Sequence, residues 1–394
     1  MPLPDTIAAR YPHLPFGRQW QISPGLEYVL GQCDSIVEAI SQAPLLPRFR
    51  QELHLLSLQK GAQATTAIEG NTLSDEEIER VSKGEALPPS REYQQREVQN
   101  ILAAFNSLLA EAVEQNRIER ISPELLLRFH AMIGKDLGEH FTAIPGRFAR
   151  SQRIIGPYRA PLPEDVPALV GRLCEWLLEE FHFPRQRFSD ALIQAIVTHV
   201  YIEWIHPFDD GNGRTGRLVE FYILLRAGLP SIASHLLANH YNETRPEYYR
   251  QLELGRQEHD LSAFLNYAVI GLRDGLLKTL RAVQQNALEQ MWRVLVYDVF
   301  GERTTERREV FKRRRNVALA LPLDRPIAFP EVAFLSEDLK KAYADSGLRT
   351  LLRDLAELAK LGLIIREPGL IRANRTLLDG TITRRRAAVP VLPP

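Results

Sequence analysis

The stretch His206-Pro207-Phe208-Asp209-Asp210-Gly211-Asn212-Gly213-Arg214-Thr215-Gly216-Arg217 lies between two apolar helical runs and concentrates the chemistry of this chain. Pro207 has no N–H to donate and restricts the residue before it, so the helix ahead of it ends at His206. Leu218, Phe221, Tyr222 and Leu225 follow at helical spacing, which starts the next helix near Asn212 or Gly213. Two glycines at a loop-to-helix junction let several N–H groups converge on one point. With the positive end of the helix dipole they make an anion nest. Arg214 and Arg217 stand three residues apart, so both project from one helical face toward the same anion. Asp210, at the mouth, offers the hard oxygen that Mg²⁺ takes when it bridges phosphates. His206 is the side chain here that can accept a proton near neutral pH. Taken singly these features are commonplace: Gly-Asn-Gly is usually a tight turn, and a histidine before proline usually packs. Together in one short window they describe phosphoryl-type chemistry. The window is not a Walker A loop, since Gly-x-x-x-x-Gly-Lys-Ser/Thr is absent and no lysine stands in it.

Around that window the composition is that of an ordinary globular protein, 45% hydrophobic and 25% charged, which excludes a disordered, collagenous or disulfide-stapled chain. A length of 394 residues, at roughly 100–200 per domain, implies two or three domains. Lys+Arg and Asp+Glu balance at 49 each, which weighs against bulk electrostatic capture of nucleic acid or an anionic membrane. Cys33 and Cys174 are too few and too far apart for a zinc site or a cross-linked scaffold. Met1-Pro2-Leu3-Pro4-Asp5 has no basic region leading into an apolar run, and no stretch approaches the ~20 apolar residues of a spanning helix. A cytoplasmic protein with no membrane partner is expected.

The periodicity is mostly helical. Helices are expected over 26–40, 48–68, 75–83, 93–116, from Ser122-Pro123 onward, and over 164–180, 190–205, 214–226, 246–258, 262–293 and 348–360. Glu69-Gly70-Asn71 should end the second of these, because Gly and Asn tolerate the left-handed cap. Ser74 three residues before Glu77 is a capping box for the third. Residues 147–157 are short, basic and β-leaning, and read as an irregular hairpin. At the carboxyl end a helix, a Gly362 stop and an apolar Leu363-Ile364-Ile365 strand suit a small winged-helix module. The basic run Arg303-Thr304-Thr305-Glu306-Arg307-Arg308 with Lys312-Arg313-Arg314-Arg315 is interleaved with Glu302, Glu306 and Glu309. It reads as a solvated helix face, and nucleic acid is disfavoured as a partner. His130, His182, His199 and His235 lack ligand-like spacing and read as packing or surface residues.

The window at 206–217 matches the Fic-domain signature, His-Pro-Phe-x-Asp/Glu-Gly-Asn-Gly-Arg-x-x-Arg, at every specified position. The chain resembles that family over roughly 48–280. Thr65-Thr66-Ala67-Ile68-Glu69-Gly70-Asn71 resembles the inhibitory-helix motif Ser/Thr-x-x-x-Glu-Gly/Asn of self-inhibited members whose inhibitory helix lies N-terminal in the same chain. The resemblance implies a mostly α fold: a Fic-type helical core with a short β-hairpin flap, an N-terminal helical segment and a C-terminal winged-helix-like module. It divides the chain into 1–90 with the inhibitory helix, 91–284 as catalytic domain and 285–394 as the C-terminal module.

The activity implied is transfer of AMP from ATP to a Ser, Thr or Tyr hydroxyl of a target protein, this chain itself included, with release of pyrophosphate. By motif position His206 would deprotonate the hydroxyl and Asp210 would hold Mg²⁺ on the α- and β-phosphates. Gly211, Asn212 and Gly213 would form the anion hole, Arg214 would take the phosphates and Arg217 the γ-phosphate, with Thr215 and Gly216 in the same nucleotide site. Glu69 would form a bidentate pair with Arg217 and so block productive ATP binding. Residues 147–159 correspond to the flap that holds a target segment, with Pro157-Tyr158-Arg159 where a Gly-rich tip is common. Asn239-His240-Tyr241-Asn242 and Pro246-Glu247-Tyr248-Tyr249 resemble the adenine-side segment, which nominates Tyr249 and Asn242. Alternatives are removal of AMP by a hydrolase or bifunctional enzyme that uses Glu69, transfer of another group, and a DNA-binding regulator. A homo-oligomer is compatible with all of them.

Overall fold

Two consecutive helices, α8 (Phe188–Ile205) and α9 (Asn212–Arg226), are buried on nearly every face along their length. α8 is apolar on nearly every face and must be covered all round, and with α9 it forms the axis of the first of two units, Met1–Arg281 and Ala282–Pro394. The computed structural model describes residues 3–114, 119–181, 187–301, 308–344 and 347–378, with the side chains of 113 and 114 excepted.

In the first unit the order is α1 (Asp5–Arg10), α2 (Pro24–Gln42), α3 (Pro47–Ile68), α4 (Asp75–Ser82), α5 (Glu92–Leu109), α6 (Pro123–Ile133), the hairpin β1 (Ile154–Ile155) and β2 (Tyr158–Arg159), and α7 (Val166–Glu180). After α8 and α9 come α10 (Leu236–Glu243), α11 (Arg245–Glu258) and α12 (Ser262–Gly301), the last of which runs into the second unit. Local chemistry sets the ends. Ser23 accepts from Leu26 N with Pro24 in the first turn, Ser122 does the same for α6 with Pro123, and Ser74 with Glu77 closes a complete capping box on α4. α3 ends at Glu69, and Gly70 turns the chain at φ 100°. α5 closes earlier than the periodicity implies: it gives way to a π-helical turn at Ala110–Glu114. Among the described residues no helix is long and apolar enough to cross a membrane. Cys33 and Cys174 are both buried, free thiols, pushed up to about 12 by burial.

In the second unit α13 (Arg308–Ala320) leads to β3 (Ile327–Ala328), α14 (Glu337–Ala344), α15 (Gly347–Lys360), β4 (Ile364–Glu367) and β5 (Leu370–Ala373). The three strands form one antiparallel sheet in the order β3-β5-β4. Trp292, Val296, Phe300, Val317, Leu351, Leu355 and Leu358 fill its core. The basic run departs from the expected solvated face. Arg313 Nε and Arg314 Nε both reach the fully buried Asp354, at 2.6 and 2.9 Å, and Tyr343 donates to the same carboxylate. Arg315 lies over the Tyr297 and Phe311 rings. A carboxylate on the apolar stripe of α15 draws these guanidiniums inward, because a buried charge left unpaired is costly. The portion 302–307 of that run, like His182, lies outside the described residues.

Candidate active site

α8 ends at His206, whose N–H still bonds Ile202 O at 2.9 Å. Ahead of Pro207 an extended backbone is the usual outcome; here His206 is left-handed instead, at φ 51° and ψ 56°. Sparsely populated backbone of this kind persists only where its surroundings enforce it, and three sets of bonds do so. The Asn212 side chain bridges the loop, accepting from Phe208 N at 2.9 Å and donating to Phe208 O at 2.8 Å. Asp209 accepts from Arg150 N and Ser151 Oγ, and Ala149 N bonds Pro207 O, so the segment before the hairpin is sewn to the loop. Buried His130 stacks on Phe208 with ring centres 3.8 Å apart, accepts from Gly146 N at Nδ1 and meets Asp210 O at Nε2. The histidine expected only to pack is thus the clamp of the loop.

Replacing Asn212 with Ala removes both bridging bonds in a residue only 3% exposed. The expected cost is about 1–3 kcal/mol, since Phe208 N–H is left buried without an acceptor. A lowered urea midpoint of the unfolding transition checks this; an unchanged midpoint contradicts it.

At the other end of the loop Gly211 caps α9 at φ 80°, and a Cβ there would meet Ile133 and Phe141 at 3.0 Å. Conformation and space both demand glycine. The first intrahelical bond of α9 runs from Thr215 N to Gly211 O. The N–H groups of Asn212, Gly213 and Arg214 therefore have no acceptor within the helix and face outward at its positive end.

What stands at that end is the carboxylate of Glu69. A Cβ on Gly213 would overlap Glu69 Oε1 and lie 2.9 Å from Arg217 Nη1. Arg217, 4% exposed, donates from Nε to Thr65 Oγ1 at 2.6 Å, and from Nη2 to Thr65 O at 3.0 Å and Glu69 Oε1 at 2.5 Å. The expected bidentate pair with Glu69 is not formed: Thr65 takes the Nε edge, and a single carboxylate oxygen takes Nη2. Arg217 Nη1 is buried without a protein acceptor among the described residues. Burial disfavours the charge on Glu69, yet Arg217, with Arg214 and Arg245, outweighs it and holds the carboxyl below the usual range.

Arg214 is equally enclosed. Nη1 pairs with Glu97, Nη2 with Asp210 Oδ1 at 2.8 Å, and the guanidinium lies 5.3 Å above the Phe141 ring. Asp210 also accepts from Thr142 N at 3.3 Å. Thr215 is fully buried with Oγ1 unpartnered among the described residues, and Gly216 lies against His199 and Ile202 of α8. Tyr249 is 46% exposed and donates to Ile68 O at 3.3 Å, while Arg245 reaches Ala67 O at 3.2 Å. Asn242 sits half-buried near the end of α10. Burial drives the His206 imidazole down to about 4, with Arg153 adding to the effect. It is neutral at pH 7, and Nδ1 lies 3.4 Å from Glu203 O.

The hairpin flanks this loop. Tyr158 donates to Trp204 O and meets His13 Nε2 at 3.0 Å under the Arg256 guanidinium, whereas Ile154 and Ile155 are exposed. Sequence reasoning missed Glu97 and the role of His130. Glu97 carried a signal: it stands at helical spacing with Ile101, Ala104 and Phe105, a carboxylate on the buried stripe of α5.

Residues 120–224 match the Fic/DOC family. A protein adenylyltransferase fic-1 of Caenorhabditis briggsae is 30% identical over 204 residues, 52% of this chain and 37% of that protein. A protein adenylyltransferase Fic of Culex quinquefasciatus is 28% identical over 204 residues, again 52% of this chain and 38% of that protein. The chain thus spans little more than a third of the length of these curated relatives. A Fic family protein from Desulfovibrio desulfuricans G20 has the same fold, with a TM-score of 0.55 at 22% identity over 93% of this chain and all of that one. The Fic-1 fragment 134–508 of Caenorhabditis elegans superposes with a TM-score of 0.53 at 22% identity, covering 66% of this chain and 72% of that fragment. With a family match that takes in the clamped loop and most of α9, and a helical fold that stays alike well beyond it, residues 120–224 of this chain carry a Fic domain.

Proposed function

We propose that this chain is a protein adenylyltransferase, transferring AMP from ATP to a Ser, Thr or Tyr hydroxyl of a target protein or of itself, and that Glu69 restrains it. One observation carries the reading: a carboxylate already occupies the anion cradle, seated on Gly213 at the N-terminus of α9 against Arg217. The names of the relatives from Caenorhabditis briggsae and Culex quinquefasciatus support it.

In this mechanism the free N–H groups of Asn212, Gly213 and Arg214 receive the negative charge that grows on the α-phosphate oxygens, where preorganised donors act best. Arg214 and Arg217 hold the polyphosphate, Arg217 once Glu69 has left it. Neutral His206 takes the proton of the target hydroxyl. The oxygen so released bonds to the α-phosphorus, the bond from that phosphorus to the bridging oxygen breaks, and pyrophosphate departs with the electron pair. Tyr249 and Asn242 are assigned to the adenine side, and exposed Ile154 and Ile155 offer a strand edge to the target's main chain.

Mg²⁺ is the ion assigned to this site, on the chemistry of a single hard carboxylate oxygen donor. An ion of this kind binds through one carboxylate, substrate phosphates and water rather than through a protein cage. Asp210, its side chain 26% exposed, would be that carboxylate. Bound there, Mg²⁺ would neutralise charge on the phosphates. The second unit, with its helix, strand, two helices and hairpin, is read as a winged-helix-like module for protein contacts.

The pH dependence follows from His206. Its neutral form is the active one, and burial lowers its pKa to about 4. Transfer should therefore be flat across about pH 5–8 and fall only as pH drops toward 4, rather than bend near the usual imidazole value of about 6.5. A pH–rate profile of kcat/KM on the Glu69→Gly variant checks this; a drop centred near 6.5 contradicts it. The activity itself is tested by intact-mass analysis of wild type and Glu69→Gly after incubation with ATP and Mg²⁺. An AMP adduct on the chain or an added target is expected, and its absence from both overturns the proposal.

A further inference from the structure

The turn that carries Glu69 also reaches the second arginine. Two residues on, Asn71 is 8% exposed; its N–H bonds Thr66 O, and its Oδ1 accepts from Leu73 N at 3.1 Å. Its Nδ2 donates to Gln94 O and to Glu97 Oε2, each at 3.0 Å. Glu97 is 5% exposed. Its other oxygen accepts from Tyr93 OH at 3.0 Å and from Arg214 Nη1. Arg214 in turn holds Asp210, and its Nε is buried with no acceptor among the described residues. A carboxylate on the apolar stripe of α5 serves packing poorly, because an aliphatic side chain would fill the space without the desolvation cost. What Glu97 adds is direction: it accepts three donors, and the third is the Arg214 guanidinium, which also holds Asp210 and whose charge is felt at Glu69 in the cradle.

We propose that Glu97 is a positioning residue that aims Arg214 at the nucleotide phosphates, and that Asn71 and Tyr93 act by holding Glu97 in place. This rests on the adenylyltransferase reading and extends it: the segment 69–71 both restrains and supports the same site. Glu69 opposes nucleotide binding through Arg217, whereas Asn71 favours it through Glu97 and Arg214. Neighbouring substitutions should therefore act with opposite sign.

The test uses the full chain carrying Glu69→Gly, with ATP binding measured by calorimetry and AMP incorporation measured in parallel. Adding Glu97→Gln should weaken ATP binding about tenfold, in the range seen when a supporting partner of a site residue is lost. It should raise KM more than it lowers kcat. Adding Asn71→Ala should weaken binding about threefold, less than Glu97→Gln, because it acts only by loosening Glu97. In an Arg214→Gln background Glu97→Gln should cost nothing further, because both act through one guanidinium. Unchanged affinity in Glu97→Gln, or a full additional loss in the Arg214→Gln background, overturns the proposal. Should either variant lose its cooperative melt by circular dichroism, Tyr93→Phe decides instead. It removes one hydroxyl from a half-buried ring, and should still weaken binding about threefold; no change overturns the proposal. If Glu69→Gly binds ATP but incorporates no AMP, the adenylyltransferase reading fails while the binding data still decide the role of Glu97.

Discussion

Replacing Glu69 with Gly is expected to raise AMP incorporation about 10- to 100-fold, the factor that corresponds to one charge-assisted hydrogen bond of about 1.5–3 kcal/mol. The carboxylate holds Arg217 Nη2 at 2.5 Å and covers Gly213, so one side chain occupies both a guanidinium and the helix N-terminus. Its loss frees both, while Thr65 continues to hold the Nε edge of Arg217 in register. The backbone has no reason to collapse, because Glu69 caps α3 at an ordinary φ of −89° and the turn geometry resides in Gly70. Acid should not imitate the substitution near neutrality. The carboxyl is held below its usual range of about 4.3, so it stays ionised and the restraint persists down to about pH 5. The check is kcat/KM for labelled ATP in wild type and variant. Equal values would contradict a restraint at this position.

The second large effect is expected at His206. His206→Ala should lower transfer about 10²- to 10⁴-fold, the usual contribution of a positioned general base, while ATP affinity in the Glu69→Gly background stays within about threefold. The separation follows from geometry. His206 is held at the end of α8 by the loop's own bonds, whereas the groups proposed to face the phosphates belong to α9: its first-turn N–H groups and its two arginines. A split between lost transfer and retained binding distinguishes a base from a loop strut. If ATP binding falls with transfer, His206 is holding the loop, and a different group must take the proton.

Much of this was legible in the sequence because it rests on local rules. The α8–loop–α9 junction follows from Pro207 and two glycines, and the α4 start follows from Ser74 and Glu77. The left-handed backbone at His206 was not legible, because it arises from tertiary bonds made by Asn212, Asp209 and His130 rather than from the pre-proline preference. Nor was the one-oxygen contact between Glu69 and Arg217, since nothing in the spacing says that Thr65 Oγ1 would claim Nε. Arg313 and Arg314 turn inward for a reason forty residues away in Asp354, beyond the reach of any charge pattern. Short elements such as α1, α10 and α14 carry too few periodic positions to stand out against their surroundings.

On the proposed mechanism the loop and α9 bind a triphosphate so that His206 delivers a hydroxyl to the α-phosphorus. Parallel incubations of the Glu69→Gly variant with α-labelled and γ-labelled ATP test it most directly. Label retained on protein from the α position alone, and lost with His206→Ala, is the result expected. Protein label from the γ position, or α label that survives without His206, would contradict it.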